Sequence, residues 1–420
     1  MLQAPELPAF TARLGDRALF PDLRPWAYLN HAGVSPLSRA ARAAIGLAVQ
    51  DYAQEGLGAV GRWVAQRARL KEGLADLLGV AAADLGLVSN TSAGLQAVAL
   101  GMPWQAGDAV VVFEGEFPAN VTPWQQAAAL FGLTVHFASL APLALPGGAD
   151  LGPLEALLKG GRVRLVALSA VQFQTGLRAP LDAVAQLCHA HGAVLCVDAV
   201  QAVGLVPFWA GSADFVAASG HKWLMGPEGT GFFYLNPERR VTLRPAVASW
   251  LSHESPVDFL VEGPGHLRYD KPVRTAADFV EGGANNALGF AGLEASVALI
   301  RQVGRHRIFA HVQVYLDKLE AGLVARGFKS LRLADIGRRS GILAVEPPAG
   351  LAVGALAAGL RKRGVAVGTP DGRMRLAPHW PNGMKEPERV LEALDEALAE
   401  ARGVVPPTLV DLAQARRQES

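Results

Sequence analysis

Between residues 85 and 235 the chain repeats one pattern: a short apolar run, then a stretch with helical spacing or a Gly/Pro turn. The runs are Leu85–Val88, Ala109–Phe113, Thr134–Phe137, Val163–Leu168, Val194–Val197, Phe215–Ala218 and Gly231–Leu235. They are nearly continuous in apolar residues rather than alternating, as strands covered on both faces must be. The pattern predicts an α/β fold: a large domain with a mainly parallel seven-stranded sheet sandwiched by helices. Helical spacing at Ser38–Glu55 and Arg62–Leu78 precedes it. After residue 285 the pattern changes to long helices at Ala287–Val303 and His306–Arg326, strand-like Gly341–Glu346 and Met374–Pro378, and helices at Ala352–Arg363 and Glu386–Arg402. That reads as a smaller α+β C-terminal domain. The expected division is an N-terminal segment over 1–27 packing near the small domain, a large domain over 28–275 and a small domain over 276–420.

Composition removes whole classes of function. The net charge is +1 over 420 residues, with no block of like charges, so neither a nucleic acid nor a membrane surface finds the basic face it needs. No stretch of about 18 uncharged apolar residues suggests a membrane span, and the first ten residues lack the basic start and apolar run of a signal peptide. The expectation is a soluble cytoplasmic protein with a small-molecule partner. The two cysteines, Cys188 and Cys196, are read as buried and reduced, with no disulfide framework and no metal site. The phosphate-loop pattern Gly-x-x-x-x-Gly-Lys-[Ser/Thr] is absent, which argues against a nucleotide-binding reading.

Two charges stand where solvated charges do not belong. Asp198 ends the apolar run Ala193-Val194-Leu195-Cys196-Val197, and Lys222, 24 positions later, follows Ala217-Ala218-Ser219-Gly220-His221 and precedes a glycine-rich turn. Lysine is almost never buried unless it is paired or used. A lysine amine and a carboxylate so placed are the two charges that pyridoxal 5'-phosphate chemistry requires, one to form a Schiff base and one to keep the ring nitrogen protonated. In a doubly wound sheet, ligands bind beyond the carboxyl ends of the strands, and other segments fall there too. Ser89-Asn90-Thr91-Ser92-Ala93-Gly94 opens a helix with hydroxyls and free N–H groups suited to an anion, and equally to capping. Glu116-Phe117-Pro118-Ala119-Asn120 offers an aromatic that can stack on a flat ring.

Asp198-x-x-Gln201 followed by Ser219-Gly220-His221-Lys222 and then Gly226-Pro227-Glu228-Gly229-Thr230-Gly231 resembles the class V aminotransferase group of fold-type I pyridoxal phosphate enzymes, which includes cysteine desulfurases, isopenicillin N epimerase and kynureninase. The resemblance runs from Tyr28-Leu29-Asn30-His31-Ala32-Gly33 to about residue 400. It implies that Lys222 carries the cofactor, Asp198 pairs with the pyridine nitrogen and Gln201 approaches the ring hydroxyl. Thr91, Ser92, Ser219 and His221 are expected to hold the phosphate. Phe117 stands where desulfurases stack a histidine, and Gln172 where many relatives place an asparagine. Arg375 matches the arginine that clamps a substrate carboxylate, and His31 borders the substrate pocket. A loop like Glu281–Asn286 serves a neighbouring subunit's phosphate site, with Ala284 offering only its N–H; a homodimer follows from the resemblance alone. The expected activity is transamination or epimerisation of an α-amino acid. The alternatives are a C–S lyase or cysteine desulfurase-like enzyme, or a non-catalytic protein keeping the fold for binding. The stretch 365–373, where desulfurases carry their nucleophilic cysteine, contains no Cys.

Overall fold

The computed structural model describes residues 9–240 and 242–403. Twelve strands form three sheets among them: β1 (Ala27–Leu29), β2 (Leu85–Val88), β3 (Ala109–Phe113), β4 (Thr134–Ala138), β5 (Val163–Ser169), β6 (Val194–Asp198), β7 (Phe215–Ser219), β8 (Gly231–Leu235), β9 (Lys329–Ser330), β10 (Leu343–Glu346), β11 (Val365–Val367) and β12 (Met374–Leu376). The central sheet has seven strands in the order β2-β8-β7-β6-β5-β3-β4. All seven expected runs are its strands.

Strand β8 is antiparallel to both of its neighbours, and the remaining pairs are parallel. Chain length explains the exception. Only residues 220–230 join β7 to β8, and a parallel return needs a crossover of a dozen residues or more. The short connection doubles back and becomes the turn that carries Lys222. Because β2 is antiparallel to β8 in turn, β2 and β7 run the same way. The carboxyl ends of β2, β3, β5, β6 and β7 therefore share one edge of the sheet.

Strand residues alternate between two buried layers. Val111, Phe113, Val166, Leu168, Leu195 and Val197 belong to one apolar cluster, while Val110, Val112, Leu165, Ala167 and Cys196 belong to the other. Both faces of the inner strands are covered, which is why their runs carry little polar alternation, whereas the edge strand β4 alternates Thr134, Val135, His136 and Phe137, all exposed or half-buried. The helix Thr91–Gly101 lies so close to β7 that a Cβ on Gly94 would sit 2.7 Å from the Ala217 methyl.

Strands β9, β10 and β12 make a second, antiparallel sheet, and β1 pairs with β11 in parallel. This pairing corrects the expected division at one point. The segment that opens the large region, Ala27–Leu29, is a strand partner of Val365–Val367, and Asn30 bridges to Ala377. The N-terminal segment ahead of it docks nearby, with the Gly15 N–H donating to the Trp380 carbonyl (2.7 Å) and the Phe20 ring 5.5 Å from the Trp380 indole. The expected strand Met374–Pro378 stops at Leu376, shortly before Pro378, which has no N–H to extend a ladder.

Gly204 holds the Lys222 turn from behind. Its φ is +106°, and an added Cβ would lie 2.3 Å from the Trp223 carbonyl oxygen. Gly204→Ala is expected to lower the unfolding free energy by about 3 kcal/mol through overpacking and backbone strain. Denaturant melts check this, with a fall in the midpoint at an unchanged slope as the expected result.

Candidate active site

The carboxyl edge of the sheet gathers predicted residues from five strand ends, those of β2, β3, β5, β6 and β7. After β2, Asn90 caps the helix Thr91–Gly101, its side chain accepting from the Ala93 N–H (2.9 Å). Thr91 and Ser219 then interlock. The Thr91 N–H donates to Ser219 Oγ (2.8 Å), the Ser219 N–H donates to Thr91 Oγ1 (2.9 Å), and the two hydroxyls lie 2.9 Å apart. One hydroxyl hydrogen bridges the pair and the other is left to point outward. The first N–H groups of a helix lack intrahelical acceptors; here the Thr91 N–H is taken by Ser219 and the Ala93 N–H by Asn90, which leaves the Ser92 N–H without a protein acceptor among the described residues. His221 follows, half-buried, with burial and the Lys222 charge both holding its imidazole below the usual range.

Asp198 ends β6 with 3% of its surface exposed. Its Oδ1 accepts the Val200 N–H at 2.9 Å, and its other oxygen takes no protein donor among the described residues. Burial pushes its carboxyl up to about 6, against the pull of the Val200 N–H and the Lys222 charge. Lys222 is partly buried, and its ammonium has no carboxylate or hydrogen-bond partner among the described residues. Its Nζ lies over the Phe117 ring, 5.4 Å from the centroid. Burial pulls its amine down to about 8, with Arg375 contributing in the same direction and Asp198 opposing.

Arg375 comes from β12 and is 7% exposed. Its Nη1 donates to the Phe173 carbonyl (2.8 Å), a longer contact reaches Asn30 Oδ1 (3.5 Å), and Nε has no acceptor. Among the described residues no carboxylate pairs with it, and burial alone lowers its guanidinium to about 10. Two cations thus share a site in which neither touches a carboxylate among the described residues, Asp198 reaching Lys222 only through its charge. Such an arrangement is costly unless something negative binds there.

Other predicted residues have different places. The Gln172 amide is spent on its own loop: Nε2 donates to the Gly115 carbonyl (2.7 Å), and Oε1 accepts from the Gln174 N–H, the Thr175 N–H and the Thr175 hydroxyl. That corrects the expectation of a ring-facing substitute for asparagine. Gln201 donates to the Ala32 carbonyl (3.0 Å) and accepts from the Trp223 indole (2.7 Å), so both ends of its amide brace the turn. His31 is 1% exposed and bonds Ser35, which makes it part of the wall rather than a surface of the substrate pocket. Phe117 is exposed and meets Phe173 edge-to-face at 5.3 Å. With Ser92, Pro118 and Thr122 it lines an apolar cavity of about 400 Å³. Ala284 lines a separate cavity beside Ser89 and Gln96, which none of Lys222, Asp198 and Arg375 touches.

Sequence reasoning did not single out the Glu116 carboxylate. It is buried, accepts the Ser169 N–H (2.7 Å) and the Ser169 hydroxyl, and is pushed up to about 7 by burial. Ser169 is the strand neighbour of Asp198. The signal was weak: Glu116 lies three residues beyond the end of β3, after an exposed Glu114, whereas Asp198 is the last residue of its strand.

The family described as Aminotransferase class-V matches residues 28–378. A probable cysteine desulfurase of Methanothermobacter thermautotrophicus is 29% identical over 308 residues, covering 72% of this chain and 73% of the relative. Isopenicillin N epimerase of Streptomyces clavuligerus is 27% identical over 339 residues, covering 79% and 84%. Among solved structures, a C-DES mutant with glycine covalently linked to its PLP cofactor superposes with a TM-score of 0.80 at 23% identity, over 90% of this chain and 98% of that one. The cysteine desulfurase CsdA of Escherichia coli gives 0.76 at 24% identity, over 92% and 98%.

Removing the unneutralised amine tests its cost. In cofactor-free protein, Lys222→Met is expected to raise the unfolding free energy at pH 7 by about 2 kcal/mol. The folded amine near 8 sheds a proton that the unfolded amine keeps up to 10.5, so the parent gains stability across that interval. The advantage of Met shrinks over the same range, which urea melts at pH 7 and pH 10.5 can measure.

Proposed function

The chain belongs to the class-V aminotransferase family, and from that premise we propose a pyridoxal 5'-phosphate enzyme that acts on an α-amino acid or small derivative, by transamination or epimerisation. The observation that carries the reading is the pair of cations, Lys222 and Arg375, lowered by burial and lacking any carboxylate among the described residues. The cofactor suits what is left over at the site: a free lysine amine, a carboxylate oxygen without a donor, and the Ser92 N–H at a helix start, beside the Thr91 and Ser219 hydroxyls.

When bound, the cofactor supplies a conjugated electron sink for the carbon next to the amine. The protein's own groups do the rest. Asp198 would pair with the ring nitrogen and keep it protonated, and the Val200 N–H and the nearby Lys222 charge favour the ionised carboxylate that this needs. The Lys222 amine, near 8, is about half neutral at that pH and so can accept and return a Cα proton. Arg375, with its planar fork partly unpaired, binds the substrate carboxylate and fixes which Cα bond faces Lys222. Phe117 and Phe173, edge to face, put an apolar surface beside Nζ, 5.4 Å from the Phe117 centroid.

A C–S lyase is the second reading, supported by the cysteine desulfurases among the relatives. The route through a protein persulfide finds no thiol suited to it. Cys188 and Cys196 are buried, the first pushed up to about 12 and the second well above its usual range, both by burial. Elimination at Cβ would need only Lys222 and the cofactor.

Lys222→Ala is expected to abolish turnover, the visible absorbance of the loaded protein, and the borohydride-trapped adduct. Wild-type turnover in that variant would refute the role of the amine. Arg375→Ala is expected to raise KM by about 100-fold, the scale of a lost charge-assisted pair. Loss of both cysteines, in Cys188→Ala/Cys196→Ala, is expected to leave turnover within about 2-fold, and a fall to background would favour thiol chemistry. Deuterium uptake at Cα from heavy water, measured across amino acids, separates epimerisation and transamination from elimination by product.

A further inference from the structure

The reactive amine stands on a short turn, and that turn is held by residues far away in sequence. Three consecutive carbonyls, those of His221, Lys222 and Trp223, each receive a donor from outside it. The Ser35 N–H donates to the His221 carbonyl (2.8 Å). The Ser35 hydroxyl donates to the Lys222 carbonyl (2.6 Å), which also takes the Met225 N–H (2.9 Å). The His379 ring contacts the Trp223 carbonyl through Nε2 (2.9 Å).

Proton accounting fixes both imidazoles. Ser35 has one hydroxyl hydrogen and gives it to Lys222. The 2.7 Å contact between Ser35 Oγ and His31 Nδ1 must then have the imidazole as donor. His31 is the Nδ1–H form. His379 is the opposite tautomer, because its Nδ1 accepts the Trp380 N–H (2.7 Å) and its Nε2–H is what reaches Trp223. The rings lie 5.3 Å apart, edge to face, and are fully buried, so both stay neutral.

The turn needs such holding. Met225 sits at φ +55°, a conformation that costs a side-chain-bearing residue about 1 kcal/mol or more and persists only where surroundings impose it. The holding groups are also tied to the substrate side. The His31 N–H donates to the Ala377 carbonyl (3.1 Å), and the Ala377 N–H donates to the Leu29 carbonyl (2.8 Å). Arg375 and His379 flank Ala377 on the same run of chain.

We propose that Ser35, His31 and His379 are positioning residues: a three-point brace that sets the Lys222 amine in register with the Arg375 fork. The proposal rests on the reading of Lys222 as the cofactor-bearing amine. An error of about 1 Å in placing a reacting group can cost about 100-fold in rate, so the brace governs kcat rather than binding.

The test uses full-length protein loaded with pyridoxal 5'-phosphate, and reads visible circular dichroism per bound cofactor, Cα deuterium exchange, and thermal midpoint. Ser35→Ala and His379→Leu are expected to slow exchange by about 10-fold with KM moved less than about 3-fold, and to alter the dichroism of the bound chromophore. Ser35→Thr and His379→Gln, which keep a donor, are expected to restore both, and His31→Asn to retain most of the parent rate. Two results overturn the brace: apolar variants with parent exchange and dichroism, or donor-keeping variants as damaged as the apolar ones at a similar thermal midpoint. A parent protein that takes up no cofactor, or traps no adduct at Lys222, removes the underlying reading and the brace together. A parent that loads normally beside unaffected variants removes the brace alone.

Discussion

An uncompensated positive charge inside a folded protein is the constraint around which this molecule is arranged. Lys222 and Arg375 both lose hydration, and neither gains a carboxylate among the described residues. A soluble domain stabilised by about 10 kcal/mol has little room for such a cost. The sheet beneath supplies the compensation. Two layers of packed aliphatic side chains, on both faces of seven strands, leave the carboxyl edge free to hold groups in an unfavourable state. Asp198 acts on Lys222 only through its charge, without contact, and burial drives both Asp198 and Glu116 toward protonation. The site is therefore a set of groups held away from their preferred ionisation, which is the condition acid–base work near neutrality needs.

Much of this was legible in the amino-acid order. Continuous apolar runs marked the inner central strands, because strands buried on both faces cannot hide their composition, and the edge strand β4 was legible despite its polar Thr134 and His136. Asp198 and Lys222 were visible as charges inside that composition. The direction of β8 was not visible in periodicity, yet the residue count between β7 and β8 contained it, since so short a connection cannot cross over. The short strands β1, β9 and β11 were missed because two or three residues carry no period.

Side-chain roles were harder. Gln172 and Gln201 occupy positions that the resemblance assigned to the cofactor, but their amides are bonded to backbone and indole partners near the site. A glutamine has the same letter whether it braces a loop or meets a ligand. His31 likewise offered an imidazole in the right segment, and only the tertiary fold turns it toward Ser35. The pairing of β1 with β11 belongs to the same class of facts, since it joins residues more than three hundred positions apart.

The burial of both sulfurs has a practical side. The sequence contains two cysteines, one inside a strand and one on the helix beneath it, with their thiols held in the protonated form. Alkylating reagents and mild oxidants act on exposed thiolates, so the native chain offers them almost nothing to attack. A single cysteine introduced on the surface would be the one handle available for a dye or spin label, with no need to strip the protein of its own.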